Sequence, residues 1–61
     1  MNAKNNHIPK KGDRVFVSGE DGEYIVYSVG RDLEVAEVQQ IGSDLRLSTI
    51  PWTSLTFLDK A

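Results

Sequence analysis

The chain has 61 residues, with seven Lys and Arg against nine Asp and Glu for a net charge of −2, one His and no Cys. A chain this short buries only about 60% of the surface it exposes when unfolded, so it supports a single core, and neither disulfides nor a structural zinc can reinforce that core. No apolar run approaches the ~20 residues of a membrane span, and residues 1–9 lack the apolar centre of a signal peptide, so no membrane role is expected and a cytoplasmic location is, which the lack of Cys fits.

Residues 1–9 carry three Asn, Lys4, His7 and one large aliphatic residue, Ile8. Such a segment cannot offset its ordering entropy by burial, so a disordered arm is expected there, with one folded domain over residues 10–61. Lys10-Lys11-Gly12-Asp13 reads as a turn that launches a strand over Arg14–Val17, where Val15 and Val17 share one face and Phe16 takes the other. Ser18 to Gly22 is a loop with two glycines, and Glu23–Val29, rich in β-branched and aromatic residues, is a second strand. Both of its faces are apolar, as a strand bent between two halves of a barrel or an interface would require.

Gly30-Arg31-Asp32 turns the chain into a third strand over Leu33–Ile41. Leu33–Gln40 also contains helix formers, but eight residues between glycine-containing turns, without a capped apolar stripe, favour the strand. After Gly42-Ser43-Asp44, Leu45–Ile50 is a fourth strand, placing Leu45, Leu47 and Thr49 opposite Arg46, Ser48 and Ile50 unless a bend before Pro51 resets the phase. Pro51–Leu55 suits one 3₁₀ turn, and Thr56–Leu58 closes the sheet as a last strand. Five short strands joined by brief turns predict an all-β meander, curled into a closed or nearly closed barrel.

Three stretches carry a family resemblance. Lys11-Gly12-Asp13-Arg14-Val15-Phe16-Val17 is similar to the opening of KOW, Tudor-like and related small barrels; Gly22 to Val29 resembles their long second strand; and Ile50-Pro51-Trp52-Thr53-Ser54-Leu55 resembles their closing turn. The resemblance implies a five-stranded SH3-like barrel with a 3₁₀ turn before the last strand, and says little of function. Gly12-Asp13-Arg14-Val15, Ser18-Gly19 and the Pro51 to Leu55 spacing also look similar to the type II dihydrofolate reductases. That family lines its pore with a Val-Gln-Ile-Tyr run, where this chain has Leu47-Ser48-Thr49-Ile50, so the likeness supports the fold and counts against the activity.

Catalytic groups are not assembled in the sequence. His7, the one histidine, lies in the polar arm without neighbours that would make it a base or ligand, and none of the five serines has a histidine or a nucleophile elbow to activate it. Gly19-Glu20-Asp21-Gly22-Glu23 lacks the spaced ligand series of a calcium loop, and Glu34 and Glu37, an odd distance apart, cannot share a strand face. No enzyme activity, cofactor or metal is therefore expected.

The reading favoured by the residues is a binding module for a protein or peptide, with Phe16, Tyr27 and Trp52 as aromatic anchors and Glu37 and Arg46 as polar rim. The competing account of Trp52 is that so small a domain needs it in the core. A second reading is a KOW-like nucleic-acid contact through Lys10, Lys11 and Arg14. Charge disfavours it: residues 1–14 hold four cations against one carboxylate (+3), but residues 15–61 hold three against eight (−5), and phosphate binding draws on net cationic surface. A third is a homo-oligomer whose site forms between chains.

Overall fold

Period-two alternation decides the first strand. In the computed structural model, which describes residues 8–58, the side chains over Arg14–Val17 (β1) alternate outward and inward, with Val15 and Val17 buried and Phe16 exposed. The turn before β1 has a simple cause. The Asp13 N–H donates to the Lys10 carbonyl, and Gly12 takes φ 97°, the left-handed conformation that a type II turn demands at its third position.

Four more strands succeed it as expected: Tyr24–Gly30 (β2), Val35–Gln40 (β3), Arg46–Pro51 (β4) and Leu55–Phe57 (β5). A 3₁₀ turn, Trp52–Ser54, precedes β5, as the proline at its entrance predicted. Leu33–Gln40 contains no helix. Every strand pairs antiparallel with its neighbour, in the spatial order β4-β3-β2-β1-β5.

One side of the sheet holds the core. Val15, Val17, Tyr24, Val26, Ala36, Val38 and Leu55 are buried together, with Val29, Leu47, Ile50, Trp52 and Phe57 packed against them. Tyr24 is the largest fully buried side chain, and its hydroxyl meets the Gln40 amide at 3.5 Å.

The expected closure into a barrel does not occur: β4 and β5 are the two edges of an open sheet, with no ladder between them among the described residues. Length and chemistry explain this. β5 has three residues, all spent on pairing with β1. β4 is interrupted by a register shift opposite Ala36–Val38 and ends at Pro51, which has no N–H to donate. Thr49 adopts φ 57° at that interruption, and this is the phase reset before Pro51. Leu47 and Ile50, three residues apart, thereby both reach the core, whereas Thr49 is exposed.

The expected arm, residues 1–9, falls outside the described residues for its first seven positions, His7 included. Of the remaining two, Ile8 is partly exposed and Pro9 is fully buried.

Candidate functional site

A second irregularity places Tyr27. The register of β2 on β3 runs Val26 against Val38 and then Ser28 against Glu37, so Tyr27 is an extra residue without a partner position. Such a bulge bends the strand and re-aims the side chain. The ring is half-buried, and the Arg46 guanidinium from β4 lies over it, 5.2 Å from its centroid. Arg46 is itself steadied by its Nε donating to Gln39 Oε1 at 3.2 Å on β3, and cation and ring attract through the ring quadrupole.

Glu37 belongs to the same side of the sheet. Its neighbours Ala36 and Val38 are buried in the core, so its half-buried carboxylate side chain points the other way, level with Ser28. Tyr27, Glu37 and Arg46 are thus gathered on the face opposite the core. Gln39, which sequence reasoning did not single out, completes the group.

Tyr27 also borders an open groove of about 810 Å³. One wall is the second half of β2, Tyr27, Ser28 and Val29, and the other is the segment Ile8 to Lys11, held down by the buried Pro9. Arg31, in the turn after β2, also lines it. Three cations therefore line this groove, Lys10, Lys11 and Arg31, and among the described residues no carboxylate does. Lys10 uses its backbone N–H on Asp13 Oδ2, but among the described residues no hydrogen bond or ion pair engages either ammonium or the Arg31 guanidinium.

The other residues named from the sequence lie elsewhere. Arg14 donates from Nη2 to Glu23 Oε1 at 2.6 Å and does not line the groove, so the cationic cluster is Lys10, Lys11 and Arg31 instead of Lys10, Lys11 and Arg14. Nothing in the sequence pairs Arg31 with the lysines, because their approach depends on segment 8–11 lying beside the end of β2. Phe16 is exposed on β1, level with Glu23 in the register that pairs Arg14 with Ile25. That is four residues from Tyr27, roughly 13 Å along an extended strand.

Trp52 is half-buried against the core, and its Nε1 donates to the Val35 carbonyl at 2.9 Å. It is not part of the Tyr27 group. Among the described residues no cluster of three His, Cys, Asp or Glu could hold a metal ion, and no helix is long and apolar enough to cross a membrane. No protein-family model matches the chain, and no curated protein or solved structure is significantly similar to it.

Proposed function

We propose that this chain is a non-enzymatic binding module that takes a protein or peptide segment at the surface centred on Tyr27. One observation carries the reading: the β2 bulge holds a half-exposed aromatic ring beneath Arg46 and at the lip of a groove whose cations have no partners among the described residues. An amphipathic ring at the edge of a concave surface, with polar groups fixing orientation around it, is the chemistry of a recognition site. Glu37, Gln39 and Arg46 supply that polar surround, and Phe16 and Trp52 are left out of it. The order of strands, with a 3₁₀ turn ahead of the last, also supports kinship with SH3-like barrels, here opened at one seam. A cytoplasmic setting suits a domain without cysteines.

The nucleic-acid reading is weaker on this geometry. Arg14, one of the three cations that reading relies on, is paired with Glu23 and does not line the groove.

Selection of short random peptides displayed on phage tests the proposal. Enriched clones are expected to lose more than about tenfold in affinity for Tyr27→Ala, a cost ordinary for an aromatic anchor, and to bind Phe16→Ser as they bind the parent. Circular dichroism would establish that both variants keep the sheet. Clones indifferent to Tyr27→Ala, or sensitive to Phe16→Ser instead, would place the contact surface elsewhere and overturn the reading.

A further inference from the structure

The groove wall formed by β2 is also a strand edge. β1 pairs with β2 only at Ile25 and Tyr24, and the turn before β1 extends the contact by two bonds, from the Gly12 N–H to the Val26 carbonyl and from the Val26 N–H to the Asp13 carbonyl. β2 continues for four residues past that point, through Tyr27, Ser28, Val29 and Gly30. On the far side, β3 accompanies it to Gly30. On the near side, among the described residues, no strand does. Pro9 stands across the groove and, lacking an N–H, has nothing to donate to a ladder.

From this we infer that the partner binds as an extended acidic segment, adding a short strand along Tyr27–Gly30 of β2. The inference rests on the Tyr27 reading above and states the chemistry of its ligand. Strand addition obtains affinity from main-chain hydrogen bonds and specificity from alternate side chains. The stretch of β2 edge that has no neighbouring strand among the described residues supplies the first. Charge supplies the second, because a side chain with a carboxylate is complementary to Lys10, Lys11 and Arg31, which among the described residues are unpaired and share the lining with no acid. Val29, Ile8 and Pro9 give the lining an apolar part, so the best segment alternates carboxylates with small β-branched residues. A basic segment would face three like charges and an apolar one would leave them uncompensated.

Backbone amide chemical shifts of the full ¹⁵N-labelled chain, titrated with four probes, test this. The probes are a capped heptapeptide alternating Glu with Val and Thr, the same peptide with alternate backbone nitrogens methylated, its Lys-for-Glu counterpart, and oligodeoxythymidine. The acidic peptide is expected to shift Lys10, Lys11 and Tyr27 through Gly30, and to weaken by about tenfold or more on methylation, the equivalent of one or two lost hydrogen bonds. Arg31→Glu should weaken it further while leaving shifts in β3 and β4 in place, a sign that the fold is kept.

Equal binding of the methylated peptide would overturn strand addition, and equal binding of the lysine peptide would overturn the acidic ligand. Groove shifts with oligodeoxythymidine alone would assign the cations to nucleic acid, against the inference. Silence from every probe would overturn it too. In each case the display selection decides separately whether Tyr27 is a contact, because that experiment does not prescribe the charge or conformation of the peptide.

Discussion

Thr49 and Glu34 both stand at φ 57°, where only glycine is at ease and asparagine is tolerated. Thr49 is the costlier of the two, since its branched Cβ crowds the left-handed conformation by roughly 1–3 kcal/mol. It is exposed and has no hydrogen-bonded side-chain partner among the described residues, so its side chain returns little of that cost. What the position achieves is geometric: the local reversal lets Leu47 and Ile50 face the same core. Thr49→Gly preserves that geometry and removes the strain, and is expected to raise the free energy of unfolding by about 1 kcal/mol after allowing for the freer unfolded chain. Urea denaturation reads this directly. A lowered midpoint would show that the threonine side chain contributes packing that outweighs its strain.

The same kind of local departure explains what the elements disclosed in the sequence and what they did not. Alternation in β1 gives Val15 and Val17 to the core and Phe16 to the outside, and the Pro51 entrance to the 3₁₀ turn is equally legible, because both depend only on near neighbours. Tyr27 was visible as an aromatic, but its bulge was not. An inserted residue shows only when two strands are laid side by side, and that pairing is a long-range fact. The approach of Arg31 to the lysines is hidden for the same reason, as is the pairing of Arg14 with Glu23, nine residues away across the β1–β2 connection.

Trp52 belongs with the junction of β4 and the 3₁₀ turn. Pro51 is the register partner of Val35 and has no N–H to offer it; the indole N–H supplies the Val35 carbonyl instead, and the Trp52 backbone N–H serves the carbonyl of Glu34. Trp52→Phe keeps most of the ring but withdraws this donor. It is expected to cost about 1 kcal/mol, the usual loss when a partly buried acceptor is left unmatched. Thermal or urea unfolding measures it. An unchanged midpoint would mean that water takes over at Val35 and that the indole is free to serve as a contact.

At the scale of the molecule, a local field opposes a global one. The groove gathers three cations, yet the chain as a whole carries a net charge of −2. Ionic strength selects which of these an acidic peptide feels. At about 0.01 M salt the screening length is roughly 30 Å, comparable with the 36 × 29 × 21 Å extents of the molecule, so the approaching peptide senses the surplus of carboxylates and is repelled. Near 0.15 M the length falls to about 8 Å, the distant carboxylates fade, and contact with Lys10, Lys11 and Arg31 remains. Near 1 M, at about 3 Å, the contacts themselves are screened. Affinity for the acidic heptapeptide is therefore expected to pass through a maximum at intermediate salt, and calorimetric titration across these three conditions would reveal it. A monotonic fall would show instead that the three groove cations outweigh the distant carboxylates at every salt concentration.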